Sequence, residues 1–452
     1  MPSQGERKRR VLFLNRSYWP DLEATGRLLT ELCEDLSASF DVTVVAGQPN
    51  QNPTQARYCV TGAEHRHGVR IERVWNSKFG KSSLVGRIVN LLSYLVGATV
   101  AAFRVRPLDV VVAETDPPLL CFLGALLKWW RRAKLVCYVQ DLYPDLAVAL
   151  GKIPRGWPAR WLRKAMIRAY RHADRVIVPG HDMRRVLVIA GVPAEAIQCI
   201  PNWIDTRHVV PVKDGNAFRR AHGLDGQFVV MYSGNLGLCQ PLDDVVRAAK
   251  RLCEERDILF AIVGDGVAKR RLQEAVAQMG LANVRFFPYQ AESCLAESLS
   301  AADLHLVPVD PRVASYLMPS KLYGVLASGS AVMAIAPEDC ETARVVRDAG
   351  VGFVVTPGQP DALAEAIRRA AADRVELRAM GREARRLAQS EYDRRTITGR
   401  FGRLLGELAS TGARQPPQEK SAEGPTTFLR DRQTAAFAGR VERPGTDFPH
   451  ER

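Results

Sequence analysis

Short apolar runs recur along the first half of the chain at 11–14 (VLFL), 42–46 (VTVVA), 109–113 (DVVVA), 134–139 (KLVCYV) and 175–179 (RVIVP). Each is short and apolar, and most are rich in β-branched residues, so each predicts a buried strand. Between them lie stretches such as "TGRLLTELCEDLSASF", whose apolar positions recur three and four apart, as in an amphipathic helix. Strand alternating with helix predicts βα units around a parallel sheet. The pattern restarts after residue 216 with FVVMYSG, ILFAIVGDG, VRFFPY, LHLVPV, AVMAIA and GFVVTP. The expected fold is therefore α/β, with two doubly wound domains at 1–205 and 206–395 and a last helix at 396–411. The join falls where Pro, Asn, Asp and Gly cluster in "CIPNWIDTRHVVPVKDGN". Residues 412–452 are polar, Pro- and Gly-bearing and aperiodic, which predicts a disordered tail.

Two apolar stretches, 88–103 and 117–130, fall short of the roughly 20 residues that a membrane-spanning helix needs. They read either as buried or half-buried helices of the first domain or as surfaces that touch lipid. Charge bears on that choice. The net charge is +14, and residues 1–213 hold 31 Lys and Arg against 18 Asp and Glu, while the remainder is nearly balanced. A one-sided basic half predicts an anionic partner surface. Residues 155–172 (RGWPARWLRKAMIRAYRH) mix Trp157, Trp161, Ile167 and Tyr170 with six Lys and Arg, as suits the headgroup layer of an anionic membrane. A solvated basic helix face is the plainer alternative. No zinc-finger, RNP or helix-turn-helix signature accompanies the charge, so no nucleic acid is expected. The nine scattered cysteines suit buried thiols in a reducing compartment. The start offers only a four-residue apolar run after its basic residues, so no signal peptide is expected and the reading is cytoplasmic.

The candidate chemistry gathers in the second half. Ser233, Gly234, Asn235 and Gly237 form a small-residue turn between a strand and a helix, where a diphosphate can approach backbone N–H groups. It is neither GxGxxG nor a P-loop. A second turn, "IVGDG", supplies Gly264 and Gly266, and "MPSKLYGVLASG" places Ser320 and Lys321 at a helix entry. Three loops from one sheet edge thus converge on a crevice, the usual ligand position of such sheets. In the first half, Asp141 follows a buried strand and either caps the next helix or faces the cleft. Thr25, Gly26 and Arg27 begin a helix and either cap it or touch phosphate. Glu114 and Asp116 read as a loop and helix start, with contact to a ligand in the cleft as the sharper reading. His65 and His67 sit in a turn before a strand and read as hairpin residues, not metal ligands.

The segments "YSGNLG", "IVGDG", "NVRFFPY", "ADLHLVP", "PSKLYGVLASG" and "GFVVTPGQPDALAEAI" stand in the order of the nucleotide-sugar domain of family-4 glycosyltransferases, which have the GT-B fold of two Rossmann-like domains facing a cleft. The first half, with "VQDLYPDLAVALG" and "ADRVIVPGHDMRRVLVIAGVPAEAIQCIPNWID", resembles the subgroup that builds bacterial surface polysaccharides, including fucosamine transferases of O-antigen and colanic-acid pathways. The likeness spans about residues 9–405. It implies transfer of a sugar from a nucleotide diphosphate to a lipid-linked saccharide, with retention, without metal or other cofactor, on the inner face of the cell membrane. The donor would meet Gly234, Asn235, Gly237, Gln240, Gly264 and Gly266, the base would meet Pro288, Tyr289 and Gln290, and the diphosphate would meet Pro319, Ser320, Lys321 and Leu322. Asp141 and Lys321 would be catalytic, and Thr25, Gly26, Arg27 and Gln140 would line the acceptor or phosphate side. Several positions depart from the family pattern. Tyr316 and Gly324 stand where two glutamates are usual, Asn235 and Gln240 replace an Arg and a Lys, and Gln140 replaces a His. A catalytically degenerate partner in a membrane complex and a nucleotide-sugar epimerase therefore stay open beside the transferase. The epimerase would need carboxylates in the donor cleft, and the helix entry offers none.

Overall fold

The structure is a computed structural model that describes residues 7–21, 23–49, 57–79, 84–237 and 240–411. The expected tail at 412–452 lies outside the described residues. The first sheet contains β1 (Arg10–Leu14), β2 (Asp41–Ala46), β3 (Gly62–Arg66), β4 (Val69–Arg73), β5 (Val110–Ala113), β6 (Lys134–Tyr138), β7 (Arg175–Val178) and β8 (Ile197–Cys199). Their spatial order is β3-β4-β2-β1-β5-β6-β7-β8, parallel throughout except for the β3–β4 hairpin. That hairpin turns through His67 and Gly68 at φ +45° and +81°, the left-handed pair that a two-residue turn requires. His67 Nδ1 stands 2.9 Å from the Glu34 carboxylate. The second sheet contains β9 (Phe228–Ser233), β10 (Ile258–Val263), β11 (Val284–Phe287), β12 (Leu304–Pro308), β13 (Ala331–Ile335) and β14 (Gly352–Val355), in the order β11-β10-β9-β12-β13-β14, all parallel.

Alternate residues of the first sheet feed two apolar layers. Val11, Phe13, Val44 and Val112 pack under the helices Ala24–Leu36 and Arg394–Thr411. Leu12, Leu14, Val111 and Leu135 pack under the helices Leu84–Arg104, Leu120–Arg131 and Trp157–His172. The helix Arg394–Thr411 follows the second domain in sequence yet is built into the first. It buries Ile397, Phe401, Leu404 and Leu405, and the Phe401 ring meets Tyr138 edge-on at 4.9 Å. Each such side chain contributes roughly 1.5–3 kcal/mol, enough to hold this helix on the first sheet.

The chain crosses between the domains twice, and the crossings are bonded to each other. Ile204 and Asp393 form a parallel bridge, and Thr206 Oγ1 donates to the Asp393 carboxylate at 2.5 Å. Two further contacts join the domains. The Leu142 N–H donates to the Tyr316 carbonyl at 2.9 Å. The first turns of the helices His181–Ile189 and Glu341–Asp348 exchange carboxylates: the Glu341 N–H donates to Asp182 at 2.6 Å, and the Asp182 N–H to Glu341 at 3.1 Å. Each carboxylate thus sits on the positive end of the other domain's helix.

Strand order reverses between β1 and β5 in the first sheet and between β9 and β12 in the second. Such reversals open crevices at the carboxyl ends of the strands. β9 and β12 pair only at Leu304–Val230 and His305–Met231, so their carboxyl ends part.

Candidate active site

Lys321 stands in the opening between β9 and β12. Its Nζ lies 2.5 Å from the Tyr232 hydroxyl and 3.9 Å from the centre of that ring, and a Cβ added to Gly234 would lie 3.6 Å from Nζ. The Tyr232 hydroxyl donates in turn to the Asn235 carbonyl at 2.5 Å. Tyr232 is the last fully buried residue of β9 and comes just before the glycine turn. The strand therefore fixes the phenol, and the phenol fixes both the lysine and the turn. Sequence reasoning passed over Tyr232 because it reads as one more apolar strand residue.

The two glycine turns lock together. Gly234, Gly264 and Gly266 have φ of +139°, +140° and +150°, open only to glycine at low cost. A Cβ on Gly264 would collide with the Gly234 carbonyl, and one on Gly266 would stand 2.5 Å from the Leu236 oxygen and 2.6 Å from Asn235 Oδ1. This close approach corrects the expectation of bare amides at the turns. The N–H groups of Gly234 and Leu236 donate to the carbonyls of Val263 and Asp265, that of Gly264 to Phe287, and that of Gly266 to the Asp265 carboxylate. Gly237 donates to Gln240 Oε1 at 3.2 Å, a side-chain acceptor that an incoming phosphate oxygen can replace. The missing side chains at Gly264 and Gly266 thus make room for the neighbouring turn.

The helix entry needs the same adjustment. The helix Lys321–Ala327 has one N–H of its entry already engaged, since Leu322 donates to the Pro319 carbonyl at 3.2 Å. The Leu322 side chain is fully buried and faces the core. Ser320 stands at the N-cap, where its side chain forms no cap hydrogen bond, and Pro319 is buried beneath it. Of the expected base-side residues, Pro288 and Tyr289 are exposed at the end of β11, and Gln290 Nε2 is turned back onto the Pro288 carbonyl at 2.9 Å. The Tyr289 hydroxyl reaches back to the Asp265 carbonyl at 3.4 Å. Burial and Asp265 raise its pKa, with a smaller push from Glu23 of the first domain, which places Tyr289 across the cleft from that helix start.

In the first domain, Asp141 is drawn to the domain seam. It forms an antiparallel bridge with Leu317, four residues before Lys321. Burial, with Asp116 nearby, pushes its carboxyl up to about 6, partly offset by Lys152. A carboxyl whose folded pKa is raised costs stability as pH climbs through the interval between its unfolded and folded values. Wild-type stability should therefore fall between pH 4 and pH 6 relative to Asp141→Asn. At pH 7 the variant should be the more stable by about 1–2 kcal/mol, because the group is partly open to solvent. Urea denaturation of both proteins at pH 4 and pH 7 measures this, and equal differences at the two pH values would refute the assignment.

Other first-domain expectations shift. Gln140 is buried, and its side-chain amide exchanges two 3.0 Å hydrogen bonds with that of Asn202 of the same domain. Thr25 is not the helix cap, since Glu23 occupies that position and the helix begins at Ala24. Gly26 is buried, and a Cβ there would press on Asp21 and Ser17 at 3.3–3.4 Å. Arg27 is half-buried near Glu31, whose pKa is raised by burial and partly brought back by Arg27, and which accepts from Trp203 Nε1 at 2.8 Å.

At the β1–β5 reversal, Asp116 accepts from Arg16 at 2.9 Å and from Ser17 at 2.6 Å. Beside it Glu114 is fully buried with no partner for either carboxylate oxygen among the described residues, and burial raises its pKa well above the usual range. The departures also acquire places. Tyr316 packs on the first domain's core, and a Cβ on Gly324 would press on Leu299 at 3.3 Å. Among the described residues no cluster of three or more His, Cys, Asp or Glu has metal-binding geometry.

Comparison with known proteins agrees with this architecture. Residues 24–203 match the family model "Glycosyl transferase 4-like domain", and residues 214–387 match "Glycosyl transferases group 1". The chain is 30% identical over 376 residues to WcaI of Escherichia coli K12, described as a colanic acid biosynthesis glycosyl transferase, which covers 80% of this chain and 92% of that protein. It is 28% identical over 312 residues to the glycosyltransferase WbjE of Pseudomonas aeruginosa, covering 68% and 76%. Among solved structures, Anabaena Alr3699/HepE in complex with UDP-glucose superposes with a TM-score of 0.68 at 18% identity, covering 88% of this chain and 99% of that one. WaaG, a glycosyltransferase involved in lipopolysaccharide biosynthesis, gives 0.65 at 17% identity, covering 87% and 99%. With two family models spanning both domains and a relative matched over nearly its whole length, the chain belongs to the group 1, family-4-like glycosyltransferases and has their two-domain GT-B fold.

Proposed function

We propose that this glycosyltransferase takes a nucleotide-diphosphate sugar into the crevice between β9 and β12 and passes the sugar, with retention and without a metal, to a lipid-linked saccharide. The setting is assembly of a bacterial surface polysaccharide at the cytoplasmic face of the membrane. The observation that carries this reading is the placement of Lys321. A cation oriented by Tyr232 stands at the strand-order reversal of the second sheet, with Asp141 of the first domain bridged to the chain four residues away. The charge that builds on the leaving diphosphate is met there by the lysine, with the Gly237 N–H available in exchange for Gln240. The acceptor approaches from the first domain, where Asp141 orients its hydroxyl. The polysaccharide setting is supported by the names of WcaI and WaaG, and the nucleotide-sugar donor by the UDP-glucose bound in Alr3699/HepE.

The donor is tested by thermal shift against UDP-, GDP- and dTDP-sugars. A matched donor at about 100 times its Kd stabilises the fold by about 2.7 kcal/mol, so one base class should raise Tm clearly above the others. No response to any of them would sink the reading. Transfer of labelled sugar into a solvent-extractable lipid then tests the acceptor, and the anomeric configuration of that product tests retention.

A further inference from the structure

The helix Leu84–Arg104 is built the wrong way round for a helix of a soluble domain. It buries Tyr94, Ala98 and Ala102 and turns Val85, Ile88, Leu92, Val96 and Val100 outward. The outward set recurs at three- and four-residue intervals, so it forms one continuous stripe. Length and composition alone would let this helix cross a membrane. Its inner face forbids that. Tyr94 is fully buried and donates to the Val45 carbonyl at 3.1 Å, while Asn90 and Ser93 hold the backbone of Ser77 and Phe79. A helix fixed along its length to a sheet can offer lipid only its outer face.

Neighbouring elements extend the same surface. The segment held by Asn90 presents Phe79, and Trp75 precedes it. The helix Leu120–Arg131 runs beside the stripe, with Trp130 meeting Phe103 edge-on at 6.2 Å. On its other side the helix Trp157–His172 follows, joined to it through Lys128 Nζ and the His172 carbonyl at 2.8 Å. These three helices form one layer on one face of the first sheet. Of the chain's seven tryptophans, Trp129, Trp130, Trp157 and Trp161 of these helices and Trp75, which precedes the first of them, all stand more than half exposed. The three helices contain no Asp or Glu, against nine Lys and Arg. Apolar stripe, indole border and wholly basic charge together match one partner chemistry, the interface of an anionic bilayer.

We infer that the outer stripe of the helix Leu84–Arg104 is the protein's membrane-inserting face, lying flat at the acyl–headgroup boundary while the exposed tryptophans and arginines of the two neighbouring helices sit among the headgroups. This deepens the proposed use of a membrane-held acceptor and rests on that reading for its purpose. The helix's start, Trp75 and Trp157 all lie toward the carboxyl ends of the strands, so the stripe leads to the rim of the cleft. A lipid-linked saccharide would then enter without leaving the bilayer surface.

The test is flotation of the full chain with vesicles of phosphatidylcholine, with and without phosphatidylglycerol, alongside quenching of its tryptophans by lipids brominated at shallow or deep acyl positions. The expected result is binding that needs phosphatidylglycerol and weakens with salt, with shallow quenching dominant. Leu92→Gln with Val96→Gln, both exposed, should lower partition by about tenfold or more while leaving Tm and the donor-induced thermal shift unchanged. Equal binding by the double variant would overturn the inference. So would loss of a concentration-dependent dimer without any vesicle binding, which would make the stripe a contact between copies. Absence of a donor shift beside intact vesicle binding would instead count against the donor reading and leave the surface standing.

Discussion

Lys321→Ala is expected to lower kcat/KM for sugar transfer by about 10²–10³-fold, the range seen when one preorganised charge-stabilising donor is removed from an active site. The reasoning begins with geometry. Lys321 is half-buried, held 2.5 Å from the Tyr232 hydroxyl and against Gly234, so its ammonium does not have to be brought into place when the diphosphate leaves. Charge grows on that group chiefly in the transition state, so the loss should fall mainly on kcat. Tyr232→Phe supplies the graded control. It keeps the ring under the ammonium and removes only the hydroxyl, so about a tenfold loss is expected, in line with one hydrogen bond to a charged group. Steady-state kinetics with varied donor separates the outcomes. A rise in KM at unchanged kcat would show that Lys321 binds donor and transition state equally, and would refute its assigned part.

The parts of this molecule that were legible in its sequence are those governed by local periodicity. Runs such as FVVMY and ILFAIV could be placed as strands because a strand buried on both faces leaves no polar position to confuse the pattern. The two-sheet fold and the convergence of three loops followed from their order. What the sequence hid was where each loop's hydrogen bonds go. The glycines at 234, 264 and 266 were visible as a place for phosphate, yet the amides of Gly234 and Leu236 hold one turn against the other and that of Gly264 is spent on Phe287, long-range facts. Gln140 stood next to Asp141 on a cleft-facing strand end, but its partner Asn202 lies 62 residues away. The outward stripe of the helix Leu84–Arg104 was ambiguous for a similar reason. Apolar residues at helical spacing say that a face is apolar, and only tertiary packing says which face the sheet takes. Here the sheet takes the alanines and the tyrosine.

Gly264→Ala is expected to destabilise the second domain by about 3–5 kcal/mol and to abolish donor binding in the molecules that still fold. Two costs combine. At φ +140° an alanine is strained wherever it stands, and here its methyl would also enter the Gly234 carbonyl, which is backbone and cannot rotate aside. The turn of residues 233–237 would have to move away from β10. That movement breaks the Gly234 and Leu236 hydrogen bonds to Val263 and Asp265, withdraws the Asn235 carbonyl from Tyr232, and so releases the phenol that orients Lys321. Stability and function are therefore coupled through one backbone contact. Gly223→Ala tests this against glycine strain in general, because Gly223 also has positive φ, +61°, but would meet nothing within 4 Å. It should cost only about 1 kcal/mol and leave the donor-induced thermal shift intact. Chemical denaturation and thermal shift on both variants decide the matter, and a Gly264→Ala protein that retained its donor shift would show that the two turns do not act as one unit.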